Sequence, residues 1–205
     1  MGRVADTRVH LVRHGEVENP RGVVYGALPG FRLSERGRAQ AQAAARHLRD
    51  LVRDRALLVS SPLERAQETA GIVGAALGVA EVVLEPRLTE AGAFLEGLPR
   101  RFAPLQYVGR LLDAEARARI ESPRRVLVRM QAALEALAAR APGQELVVVS
   151  HQFPIWMVTV GYERQHVLAR RLPALFVRRP CEPASVTTLS WTEPGALDVR
   201  YWAPT

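Results

Sequence analysis

The run Val9-His10-Leu11-Val12-Arg13-His14-Gly15-Glu16 sets the frame for the rest of the chain. Val9 to Arg13 is mostly apolar and β-branched and reads as a strand. The strand stops on an arginine, a histidine and a glycine, which an apolar core does not require. In open α/β sheets ligands bind outside the carboxyl ends of the strands, so Arg13-His14-Gly15-Glu16 stands where chemistry is expected.

Working outward, the same alternation of short apolar runs and longer helical segments recurs, which is an α/β pattern of a sheet covered by helices. Ala56 to Ser60, Val82 to Leu84 and Leu146 to Ser150 read as further strands. The interior ones are nearly continuous apolar runs, as strands buried on both faces should be. Leu33, Gly37, Ala41, Ala44, Leu48 and Leu51 recur at helical spacing, with Ser34 placed as the cap of a helix over about 35–52. Pro62 is expected to open a second helix that reaches Leu77 and ends near Gly78, which puts Arg65 in its first turn. A third helix is expected from about Arg124 to Arg140, closed by Pro142-Gly143, and a fourth from near Pro154. Val186 to Trp191 and Leu197 to Trp202 flank Glu193-Pro194-Gly195 and read as an edge hairpin. The interval of about 91–123 is less regular and reads as an excursion over the sheet within a single domain spanning 1–205.

Composition excludes several classes of function. All 28 basic residues are Arg, so no Lys exists to serve a phosphate loop, a Schiff base or a kinase-type site. A Gly-x-Ser-x-Gly elbow and a His-Glu-x-x-His zinc helix are absent as well. Cys181 is the only cysteine, which rules out an intrachain disulfide and a zinc site of several thiolates. The net charge of +7 is scattered and often sits beside acids, as in Glu35-Arg36 and Glu64-Arg65, so no nucleic-acid partner is expected. No apolar stretch is long enough to span a bilayer and Met1 to Arg8 holds no apolar signal region, so no membrane association and a cytoplasmic location are expected.

Four strand ends carry the informative side chains: Arg13-His14, Ser61 to Arg65, Leu88-Thr89-Glu90 and Ser150-His151. Two guanidinium groups can clamp a phosphoryl group through paired hydrogen bonds. An imidazole between them can attack phosphorus, a second imidazole can donate to the equatorial oxygens, and a carboxylic acid can protonate the departing oxygen. Such a set needs no metal and no cofactor.

These residues resemble the histidine phosphatase superfamily, also called the phosphoglycerate mutase-like family. The likeness rests on Leu11-Val12-Arg13-His14-Gly15-Glu16, on Leu33 to Gln40, on the Ser60 to Ala70 segment, on Leu88-Thr89-Glu90 with Glu96-Gly97 behind it, and on Val148-Val149-Ser150-His151. It covers about three quarters of the chain. The resemblance implies a three-layer α/β/α fold with a mixed, mostly parallel central sheet. It implies that His14 is the phosphorylated nucleophile, Arg13 and Arg65 hold the phosphoryl group, His151 completes the pocket and Glu90 is the acid. The implied activity is that of a metal-independent phosphatase on a small phosphorylated substrate, with a mutase-type phosphotransferase or a non-catalytic phosphate-binding protein as alternatives. The chain departs from the family pattern at Val17, where Thr is common, and at Gln152, where Gly is common and whose backbone amide is a candidate phosphate contact. Asn19, Tyr25 and Arg100 are candidates for substrate contact.

Outside these motifs the plainer readings hold. His10, His47 and His166 have no partner motif and read as structural. Trp156, Trp191 and Trp202 read as packing residues, and Cys181 as an inert thiol.

Overall fold

The computed structural model describes residues 7–53, 55–92, 96–99, 120–166, 180–192 and 196–205. Arg100 and most of the 91–123 interval lie outside the described residues. Six strands form one sheet: β1 (Val9–Arg13), β2 (Ala56–Ser60), β3 (Val83–Leu84), β4 (Glu145–Ser150), β5 (Val186–Thr192) and β6 (Ala196–Trp202). Their spatial order is β3-β2-β4-β1-β5-β6. The β1–β4, β2–β4 and β2–β3 pairs are parallel, and β5 pairs antiparallel with both β1 and β6. The sheet is therefore mixed, with only β5 running against the rest, and the hairpin occupies one edge.

Helices cover both faces, giving three layers. On one side lie α1 (Glu35–Leu51) and α2 (Glu64–Leu77), whose Ala44, Leu48, Ala66, Ala70 and Val73 pack on Val12, Val147 and Val149. On the other side lie α3 (Pro123–Arg140) and α4 (Gln152–His166), which pack on Val9, Leu11, Leu146 and Val148 through Val126, Met130, Leu134, Ile155 and Val158. Consecutive residues of β1 and β4 thus face opposite cores. This is why those strands read as unbroken apolar runs.

The capping expectations hold at α1, where the Ser34 side chain accepts from the Gly37 amide, and at α2, where Gly78 ends the helix in the left-handed region at φ 69°. Two helix starts differ from the sequence reading. Helix α2 begins at Glu64, not at Pro62, because Leu63 remains extended at ψ 138° and no side chain caps the helix. Arg65 still falls in the first turn. Helix α4 begins at Gln152, two residues ahead of Pro154, and the His151 carbonyl accepts its first helical bond from Ile155. Proline is tolerated there because first-turn amides have no intrahelical acceptor to lose.

Register positions the site. Arg13 is paired with Ser150, and Val149 with Ser60, so His14, His151 and Ser61 all follow strands that end side by side. The His14 amide donates to the Ser150 carbonyl and the Ser61 amide to the Val149 carbonyl.

Candidate active site

His14 leaves β1 into a loop held from three directions. The Gly15 amide donates to Thr69 Oγ1 at 3.2 Å, and that hydroxyl donates to the Arg65 carbonyl at 2.8 Å. The Glu16 amide donates to Gln40 Oε1, and the Ala184 amide to the His14 carbonyl. Gly15 lies so close to α1 that a Cβ there would sit 2.3 Å from the Gly37 carbonyl oxygen, which explains a glycine at this step.

The His14 ring is almost fully buried, and its Nδ1 lies 2.7 Å from the Gly15 carbonyl. A carbonyl only accepts, so Nδ1 carries the proton and the Nε2 lone pair is available. Burial and the positive charge of Arg65 lower the pKa to about 3, against the Gly15 hydrogen bond, with Arg13 adding to the depression. At neutral pH the ring is therefore neutral. The ring of His151 lies 5.1 Å away, fully buried, with Nε2 2.8 Å from Ser61 Oγ. Burial, then His14 and the site arginines, hold it well below the ordinary imidazole value.

Both arginines are anchored by backbone carbonyls. Arg13 donates through Nη1 to the Cys181 carbonyl. Arg65, fully buried in the first turn of α2, donates through Nη1 to Leu28 and through Nη2 to Gly26, and its guanidinium carbon lies 5.0 Å from the centre of the Tyr25 ring. Their Nε groups are buried and find no partner among the described residues, and the same holds for His151 Nδ1. Three buried polar nitrogens beside one neutral imidazole are an unusual expense of desolvation unless an anion receives them.

Glu90 follows the short 3-10 turn Pro86–Leu88, which Ser150 Oγ fixes through the Leu88 carbonyl at 2.7 Å. Burial of its carboxyl raises the pKa to about 7, opposed by the Ala91 amide, Arg65, the Phe153 amide and Arg13. The group is therefore poised between acid and base near neutrality.

Of the other candidates, Tyr25 belongs to this pocket, with its ring 6.4 Å from that of His14 and packed on Phe31. Gln152 is the exposed first residue of α4, where backbone amides lack helical acceptors. Asn19 is engaged elsewhere, its amide and carbonyl both bonded to the backbone of Val23, so the structure gives it a loop-bracing task. The loop that follows is tied to the Glu96 segment by the Ala27 amide on Glu96 Oε1 and by Gly97 and Leu98 on Val24. Away from the site, His10 is buried between Thr188 and Glu145, and His47 stacks on Trp202.

Sequence reading missed three supports. Ser61 and Thr69 carry hydroxyls next to motif residues, a weak signal. The Cys181 carbonyl leaves no side-chain signal at all, although the brace it belongs to contains Ala184 at φ 56°, strained for a residue with a Cβ. The Cys181 thiol itself is pushed up to about 11 by burial and is inert.

The profile of the histidine phosphatase superfamily (branch 1) matches residues 9–203. The chain belongs to this superfamily. A relative, the uncharacterized Mycobacterium tuberculosis protein Rv0525, is 39% identical over 208 residues, covering 97% of each chain. Among solved structures, the mycobacterial glucosyl-3-phosphoglycerate phosphatase Rv2419c in complex with VO3 superposes with a TM-score of 0.75 at 26% identity, covering 97% of this chain and 100% of that one. The Bacillus stearothermophilus protein YhfR shares the fold at a TM-score of 0.74 and 22% identity, over 94% and 95% of the two chains. Both the family and the three-layer fold implied by the motifs are thereby shown.

Proposed function

We propose that this histidine phosphatase superfamily member hydrolyses a small phosphate monoester through a phosphohistidine on His14, without a metal ion. The observation that carries the reading is the set of three buried nitrogens of Arg13, Arg65 and His151, without partners among the described residues, beside a neutral His14. They match the charge and donor needs of a phosphoryl group in transfer. The relative Rv2419c, a phosphatase captured with VO3, supports the same assignment.

In the first step His14 Nε2 attacks phosphorus, the ester P–O bond breaks, and the Glu90 proton passes to the departing oxygen. In the second, Glu90 as carboxylate takes a proton from water, that water attacks phosphorus, and the P–N bond breaks to free inorganic phosphate. The two guanidinium groups supply the charge neutralisation that Mg²⁺ supplies elsewhere. Tyr25 and the backbone amide of Gln152 face or flank the substrate, and Arg100 is assigned to the same task.

A rapid-quench experiment with an ester labelled in its phosphoryl group tests this. Label is expected on the wild-type protein, in the presence of EDTA, and not on a folded His14→Ala variant. Labelling of His14→Ala, or turnover that EDTA abolishes and added metal restores, overturns the mechanism. Preferential transfer of the label to an added alcohol over water would make the protein a phosphotransferase instead.

A further inference from the structure

The protein settles the proton of His14 directly, through the Gly15 carbonyl. Among the described residues His151 has no such carbonyl. Its side-chain partner among them is Ser61, a fully buried residue just after β2 whose Oγ lies 2.8 Å from Nε2. A hydroxyl has a single proton to give and can either donate to Nε2 or accept from it. The surroundings decide between these. Ser61 Oγ already accepts, at 3.4 Å, from the Leu63 amide that leads into α2. Among the described residues, Nε2 is the acceptor that the Ser61 hydroxyl reaches. If Nε2 were protonated, two N–H groups would point at one oxygen and the buried Ser61 proton would be left without an acceptor.

We propose that Ser61 is a positioning residue that donates its proton to His151 Nε2, keeps the ring proton on Nδ1, and so makes the second histidine a neutral N–H donor to a phosphoryl oxygen. Nδ1 is the atom that is buried without a partner among the described residues. With the other tautomer that position would present a lone pair to an anionic oxygen, which is repulsive. The neutrality of His151 agrees with its depressed pKa, and a neutral donor does not compete with Glu90 for the leaving group's proton. Register makes the contact possible, because Ser61 and His151 follow strands paired in parallel. This inference rests on the phosphoryl-binding reading above, yet its first test does not depend on turnover.

That test is the tautomer itself, read from long-range proton–nitrogen correlations of the imidazoles in ¹⁵N-labelled full-length protein at pH 7. The His151 signals are identified by their loss in His151→Gln. The wild type is expected to show the Nδ1–H pattern, and Ser61→Ala to lose it in part or whole. Binding of inorganic phosphate to Ser61→Ala is expected to weaken by about tenfold or more, the scale of one hydrogen bond to a charged group. An Nε2–H pattern in the wild type overturns the proposal, as does a Ser61→Ala protein that keeps either the wild-type tautomer or the wild-type phosphate affinity. An Nδ1–H pattern with normal phosphate binding, but no phosphohistidine in the labelling experiment, would instead fault the phosphatase mechanism and leave the role of Ser61 standing.

Discussion

In the proposed mechanism the chemistry turns on Glu90, because phosphoryl transfer from an alkyl ester needs a proton at the leaving oxygen. Burial raises its pKa to about 7 against two backbone amides and two arginines, so the acid form is present below pH 7 and is lost above it. His14, at about 3, stays neutral over the same range. The rate of His14 phosphorylation by an alkyl phosphate should therefore fall as pH rises through 7. A nitrophenolate leaves without protonation, so p-nitrophenyl phosphate should show little of this limb. Glu90→Gln is expected to slow phosphorylation by the alkyl ester by about 10² to 10⁴ and by the nitrophenyl ester far less, measured by rapid quench. Equal losses for the two esters would show that another group is the acid. Glu16 is poorly placed for it, since its carboxylate is bonded to Ser34 and lies near Arg36 at the start of α1.

At the scale of elements, the loop that follows His14 and α1 meet through two glycines. A Cβ on Gly15 would lie 2.3 Å from the Gly37 carbonyl oxygen, and one on Gly37 would lie 2.0 Å from the Glu16 carbonyl oxygen. Both obstacles are backbone and cannot swing aside. Gly71, on the exposed face of α2, has nothing within 4 Å of the same construction. Gly15→Ala is thus expected to destabilise by about 1 to 3 kcal/mol and to cost most of the activity, by overpacking. Gly71→Ala should stabilise by about 0.5 to 1 kcal/mol, because alanine is the better helix former. Urea unfolding of the two variants checks the opposite signs, and a tolerated Gly15→Ala would mean that the loop is not wedged against α1. The sequence made this element arrangement readable where periodicity and caps act locally, as at β1 and in the Ser34-capped α1. It misled at Pro62, because the preference of proline for a first turn is local while the path of Ser61 to Leu63 is fixed by long-range bonds to Val149 and His151. The site divides in the same way. Arg13, His14, Arg65, Glu90 and His151 announce themselves by side-chain chemistry at strand ends, whereas the carbonyls of Cys181, Gly26 and Leu28 that aim the guanidinium groups have no residue signature.

Across the whole molecule, the ionisable groups buried at the site make stability depend on pH in a way that can be signed. His14 is held at about 3, and His151 well below 6.5, so as pH falls through 6.5 the unfolded chain takes up protons on both imidazoles that the native pocket refuses. Those two groups make stability fall as pH drops. Glu90 acts oppositely: with its folded pKa raised from 4.5 to about 7, the native state keeps a proton that the unfolded chain has released between those values. Toward pH 5 the balance approaches one proton more on the unfolded side, a slope approaching about 1.4 kcal/mol per pH unit, and it shrinks toward pH 6.5 as the unfolded imidazoles lose their protons. The window avoids Glu85 and Glu145, whose pKa values are lowered from 4.5 and which act below it, while the partly buried His47 adds in the direction of the other histidines. Glu90→Gln removes the opposing group, so its stability should fall more steeply between pH 6.5 and 5, by about one further proton. His14→Asn removes one of the two favouring groups and should make the curve nearly flat. Urea midpoints of the three proteins at pH 5, 5.5, 6 and 6.5 give the slopes, and parallel curves for wild type and Glu90→Gln would mean that Glu90 does not retain its proton in the folded pocket.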